Sequence, residues 1–193
     1  MREIFVQYGQ STRIAIFIFV LLVMGALQQL FPKRLLTQPL RRRWFINLSM
    51  VALGGIVMRI LLPAGAIGVA HLAADRNWGV FNQLPILGWY SVPISILILD
   101  FFIYFQHRLF HVVPTLWRLH RMHHTDLDFD TTTGIRFHPL EFALSLGIKC
   151  VVILAIGASP LSVLIFEISL NASSLFNHSN LDLNPALDRW LRF

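Results

Sequence analysis

Apolar residues gather into four long stretches, roughly 14–31, 46–72, 84–106 and 141–177, with polar and basic residues crowded into the short segments between them. A helix needs about 20 apolar residues to cross a hydrocarbon core, so each stretch predicts a membrane crossing. The last contains Gly157-Ala158-Ser159-Pro160, a turn signal, and so predicts a helical hairpin with two short legs. The expected fold is all-α, a polytopic membrane helical bundle. Transmembrane helices fill residues 1–99, and a histidine-bearing region follows over 100–193.

Arg2 and Arg13 ahead of an apolar run resemble the start of a signal peptide. The run from Ile14 to Leu30 is longer than a usual h-region, and no small-x-small cleavage site follows it, so a retained helix is expected. Composition agrees with a membrane location. The chain is 55% hydrophobic and 13% charged, where a soluble domain is about a quarter charged. The net charge of +6 is that of basic residues flanking membrane helices. No nucleic-acid module is visible, and nucleic acid is not an expected partner. The single Cys150 excludes an internal disulfide and reads as a small buried hydrophobe.

Basic residues concentrate between the first two stretches, at Lys33, Arg34, Arg41, Arg42 and Arg43. The positive-inside rule puts that loop in the cytoplasm, of a bacterial inner membrane or an endoplasmic reticulum. Counting crossings from there, Asp75 to Gln83 falls outside, and His107 returns to the cytoplasmic face. The hairpin then brings His138 and His178 to that same face and leaves His71 near the opposite one.

Five histidines form two tight clusters, His107 and His111, then His120, His123 and His124. Residues at i, i+3 and i+4 share a helix face, so each cluster aims imidazoles at a common point. Imidazole suits iron, zinc, copper and nickel. A transition metal is expected, with His138 and His178 joining the five. Asp100, Tyr104, His107 and His111 make one helical stripe. Asp100 either supports a ligand imidazole or its bound water, as carboxylates behind metal ligands do, or pairs with Arg59. Pro114 should bend the chain and start a second helix over Thr115 to Thr125. Asp126, Asp128 and Asp130 read as carboxylates behind the ligands or as a solvated acidic loop. Antiparallel hairpin legs set Lys149 opposite Glu167, and two such charges in an apolar setting are driven to pair.

The stretch Asp100-x-x-x-Tyr104-x-x-His107-Arg108-x-x-His111-x-x-Pro114-x-Leu116-Trp117-Arg118-x-His120-x-x-His123-His124 resembles the first two histidine boxes of the fatty acid hydroxylase and sterol desaturase superfamily. Thr132-Thr133-x-x-Arg136-Phe137-His138-Pro139-x-Glu141 is similar to its central segment, and Phe176-Asn177-His178 to the histidine expected after the hairpin. The resemblance makes 100–193 a histidine-box hydroxylase-like region. It implies two non-haem iron ions held by His107, His111, His120, His123, His124, His138 and His178, with Asp100 and Tyr104 behind them. It further implies dioxygen activation and hydroxylation or desaturation of a lipid, whether fatty acyl, sterol or alkyl glycerol ether. Arg136 and Glu141 are expected to order their segment.

The family's third box, another His-x-x-His-His, would fall after Phe193. The expectation is therefore a piece of a longer protein, short of the full ligand set. No Gly-x-Gly-x-x-Gly fingerprint or cysteine set is present, so a separate reductase, cytochrome or ferredoxin must supply electrons. The alternative function is a metal-binding or transport membrane protein without oxygenase activity. Transport favours ligands at several depths, whereas these histidines gather at one face.

Overall fold

The computed structural model describes residues 2–191, without the side chains of residues 2–8, 10 and 85–87; the side chain of Arg2 and Phe193 thus lie outside what it describes. The helices are α1 (Arg2–Leu30), α2 (Leu40–Leu61), α3 (Gly65–Asp75), α4 (Val80–Gln83), α5 (Ser91–Val112), α6 (Pro114–His120), α7 (Pro139–Ile156), α8 (Pro160–Asn177) and α9 (Pro185–Leu191). Short 3-10 turns cover Pro85–Tyr90, His123–Thr125 and Thr131–Ile135, and no strand occurs among the described residues. Four stretches there are long and apolar enough to cross a bilayer: Ser11–Leu30, Leu40–Gln83, Gly88–Val112 and Pro139–Ile156. The fold is a polytopic helical membrane bundle.

The crossing expected over 46–72 lies within Leu40–Gln83, but its helix is interrupted. Pro63 disfavours helix at the residue before it, and Leu62 leaves the helix with φ −144°. Gly65 then takes φ +61° and starts α3. The 84–106 stretch also begins differently, because Gly88 kinks its first turns; α5 then runs on to Val112 and so carries His107 and His111. The hairpin turns where its sequence signal lies. Gly157 caps α7 in the left-handed conformation, and the Ser159 hydroxyl accepts from the Ser162 amide at the start of α8. Cys150 is half-buried on α7 rather than sealed in the core.

Small residues let α3 approach the centre of the bundle. Ala66, Ile67 and Ala70 pack with Leu99 of α5, Ile153 of α7 and Val163 and Phe166 of α8. Gly79 meets the hairpin turn at one end, where an added Cβ would lie 2.1 Å from the Gly157 nitrogen. At the other end, the Gln28 side-chain oxygen of α1 accepts from the Thr131 amide at 2.9 Å and the Asn180 amide at 3.2 Å. Helices α1, α5 and α8 all run towards this second end, and α7 leaves it. The loop carrying His123 and His124 and the residues after α8 therefore meet here.

Between the two ends, three helices share one carboxylate. Lys149 of α7 donates to Glu167 of α8 at 2.5 Å, the expected pair, and Arg13 of α1 donates to the second Glu167 oxygen. The sequence alone made Arg13 a flanking charge; it enters the bundle because Glu167 is 5% exposed and has capacity for a second cation. Removing one partner from a buried ion pair strands the other charges. Glu167→Ala is accordingly expected to destabilise the bundle by about 3–5 kcal/mol, seen as a lower thermal midpoint of detergent-solubilised protein. An unchanged midpoint would remove the triad from the sources of stability.

Candidate metal centre

His107 and His111 stand one turn apart on α5, with Nε2 atoms 3.2 Å apart. Val113 is extended ahead of Pro114, and the bend turns α6 back so that His120 at its end reaches them. The His120 ring lies 4.6 Å from His107 and 4.8 Å from His111. Ligand atoms of these three lie within 4.8 Å of one another. His124 Nε2 stands 3.3 Å from His120 Nε2, and His123 Nε2 stands 3.0 Å from His178 Nε2. Ring contacts thus join six histidines, 107, 111, 120, 123, 124 and 178, into one cluster.

The hydrogen bonds set which nitrogens face inward. His178 Nδ1 meets the Ser174 carbonyl at 2.8 Å, and a carbonyl can only accept. Nδ1 therefore carries the proton, and the Nε2 lone pair points at His123. His120 Nδ1 meets the Glu141 carboxylate at 2.7 Å, which likewise frees its Nε2 towards His124. Two nitrogens about 2.1 Å from one ion, at about 90–105° to each other, stand about 3.0–3.3 Å apart. The three Nε2 pairs have that separation. Glu141, 5% exposed, keeps its second oxygen without a hydrogen-bond partner. Lone pairs converging beside a buried carboxylate suit a cation, so the residues present fit a metal.

Electrostatics point the same way. Burial, then the His178 and His120 imidazoles, pushes His123 down to about 3. Burial followed by the His120 and His111 imidazoles lowers His124, and burial lowers His178 against its bond to Ser174. Neutral imidazoles are the form that binds a metal. Phe137 stacks on His123 at 4.7 Å and Phe129 on His178 at 5.6 Å.

The loop after α6 differs from the expected helix over Thr115 to Thr125. Helix ends at His120, and His123 and His124 sit in a 3-10 turn, because tertiary bonds claim the next groups. Arg136 takes the Met122 carbonyl, and Arg43 takes the Asp126 carboxylate. Nor are Asp126, Asp128 and Asp130 solvated or behind the ligands. Arg43 reaches both Asp126 oxygens at 2.9 and 3.1 Å, Asp130 at 2.6 Å and the Asp128 carbonyl at 2.7 Å. Asp128 accepts from the Thr37 and Gln38 amides. Burial pushes Asp126 and Asp128 up; Arg43 and Thr133 for the first, and the Thr37 and Gln38 amides for the second, bring both below the usual carboxylate range. Arg43, read from sequence as a cytoplasmic flank charge, is 4% exposed, since α2 begins at Leu40 and turns it inward.

Asp100 and Tyr104 do share the stripe of His107 and His111, and the stripe faces outward: all four are exposed. Arg59 donates to the Pro63 carbonyl at 2.8 Å. His138 Nδ1 accepts the Leu140 amide as the cap of α7. His71 lies on α3. Sequence reasoning assigned Glu141 to ordering its segment; its position one turn into α7 behind a proline was the available signal for a carboxylate facing His120. Phe129 and Phe137 carried no signal.

The sequence profile of the fatty acid hydroxylase family matches residues 92–193, more than half of the chain and all of the histidine cluster. The chain is 54% identical over 59 residues to the fatty acid hydroxylase VlmA of a Lecanicillium species, covering 28% of this chain and 16% of that protein. It is 28% identical over 112 residues to the ornithine lipid hydroxylase OlsE of Rhizobium tropici, covering 52% of this chain and 34% of that protein. It thus spans about a third or less of the length of these relatives. No solved structure matches it. With the family's match enclosing the histidine cluster from α5 to the end of α8, the chain belongs to the fatty acid hydroxylase family.

Proposed function

We propose that this chain carries the metal-holding region of a membrane lipid hydroxylase, in which His107, His111, His120, His123, His124 and His178 bind two non-haem iron ions. The observation that carries the reading is the set of three Nε2 pairs 3.0–3.3 Å apart within one cluster. Six imidazoles exceed the needs of a single ion that must keep a position open for chemistry. Haem uses one or two axial ligands, so six crowded rings speak against it.

Iron bound here would supply the oxidising power that an unactivated C–H bond requires. The overall reaction inserts one atom of dioxygen into a lipid C–H bond and releases the other as water, consuming two protons and two electrons from a separate donor. The chain's own residues bind and orient. Glu141 holds the His120 tautomer, and the Ser174 carbonyl does the same for His178. Phe137 packs against the His123 ring and Phe129 against the His178 ring.

Leu97, Phe101 and Phe105 are exposed apolar residues of α5, the helix whose neighbouring stripe carries Asp100, Tyr104, His107 and His111. A lipid chain lying against this face of α5 could reach the cluster without crossing water, which favours hydroxylation over metal transport. That VlmA is a fatty acid hydroxylase and OlsE an ornithine lipid hydroxylase supports a lipid substrate. Lys33, Arg34, Arg41 and Arg42 are exposed at the histidine end, and the positive-inside rule then assigns that end to the cytoplasm.

In the purified protein, His107→Ala or His123→Ala is expected to lose bound iron and lipid hydroxylation together, measured by metal analysis and mass spectrometry of extracted lipids. Full occupancy in both would sink the ligand assignment. His71→Ala is expected to retain iron, and His138→Ala to retain most of it with some loss of stability from the missing cap; metal loss in either would redraw the ligand set. Glu141→Gln is expected to weaken iron binding by about 10–100-fold without abolishing it, which equilibrium dialysis resolves.

A further inference from the structure

The turn carrying His123 and His124 is a three-residue 3-10 segment, too short to hold its own geometry. Its anchors come from elsewhere. Arg136 Nε donates to the Met122 carbonyl just before the pair at 3.1 Å, and Nη2 donates to the Thr125 hydroxyl just after it at 3.0 Å. One planar guanidinium therefore brackets both histidines. Arg136 is itself held through Nη1 by the Asn47 side-chain oxygen at 3.2 Å. Asn47, fully buried, donates to the Thr132 hydroxyl at 2.9 Å. Asp126, next after Thr125, is gripped by Arg43 one turn earlier on α2. The guanidinium bonds of Arg136 go to Met122, Thr125 and Asn47, not to an imidazole.

We propose that Arg43 and Asn47 of α2, with Arg136, form a positioning device for the metal centre, setting His123 and His124 where their nitrogens can share ions with His178 and His120. The proposal rests on the metal-binding reading above. It gives α2, outside the histidine boxes and outside the segment matched by the family profile, a part in the site. Arg136 acts through the backbone on either side of the ligands. A lysine carries the same charge but cannot make three bonds in one plane, so geometry and charge are separable by substitution.

The test is titration of detergent-purified apo-protein with Co(II), whose visible absorption reports coordination geometry, beside helical circular dichroism. Arg136→Lys and Asn47→Ala are expected to lower Co(II) affinity by about 10–100-fold and alter the visible bands while helicity is kept. Thr125→Val removes one exposed hydroxyl contact to Arg136 and is expected to lower affinity less; it decides the matter if the other two variants fail to fold. Lys149→Met, in the distant ion triad, is expected to lower the thermal midpoint and leave Co(II) affinity unchanged. Wild-type affinity and spectrum in the folded variants among Arg136→Lys, Asn47→Ala and Thr125→Val, alongside lost binding in His123→Ala, would overturn the positioning role alone. If the unsubstituted protein binds no Co(II), or His123→Ala binds it normally, the metal-binding reading fails and the proposal falls with it.

Discussion

The buried guanidinium of Arg43 is the interaction on which the histidine end of the bundle depends. Asp126 and Asp130 lie at 2.9 and 2.6 Å from it, the Arg43 side chain is 4% exposed and Asp130 fully buried. An ionised group removed from water costs several kcal/mol unless it is paired and its remaining hydrogen-bonding capacity is filled. Here the guanidinium has five acceptor contacts, and Asp128 is satisfied separately by the Thr37 and Gln38 amides. The loop from Met122 to Ile135 has little regular structure of its own, so this network defines its path.

Placing that loop places two of the six clustered histidines, His123 and His124. His107 and His111 come with α5, and His120 with the bend at Pro114, which are local consequences of helix geometry and proline. His123 and His124 depend on where the loop is pinned, and His178 on where α8 ends. The three sets meet because α5 and α8 run to the same end of the bundle. Glu141 closes the arrangement from the first turn of α7. A carboxylate behind a histidine both fixes its tautomer and raises its basicity.

The Glu167 triad solves the same problem between the two ends of the bundle. Arg13, Lys149 and Glu167 belong to three different helices, and each charge would be costly in an apolar bundle alone. Their shared contact ties α1 to the hairpin at a level where the other contacts are apolar side chains with little positional specificity. Hydrophobic burial holds α3 centrally, and the charges then specify which faces of α1, α7 and α8 meet.

Hydrophobic runs of bilayer length, the Gly157 turn, the proline bend and the spacing of the histidines were all legible in the chain, because each reflects a local rule of helix length, period or backbone restriction. The Lys149–Glu167 contact was legible too, since a hairpin with a known turn has a calculable register. The break before Pro63 could have been read from the proline but was masked by continuous hydropathy. What only the tertiary structure decided was the partner of each charge and the fate of the acidic loop. Arg43 looked like its neighbours Arg41 and Arg42, and the three aspartates looked solvated, because sequence separation hides a contact 83 to 87 positions apart. Likewise, nothing local in the sequence told His138, turned to cap its own helix, from His178, whose ring meets the cluster. Local rules dictate which face a side chain leaves from, and only packing between distant helices decides what waits on the other side.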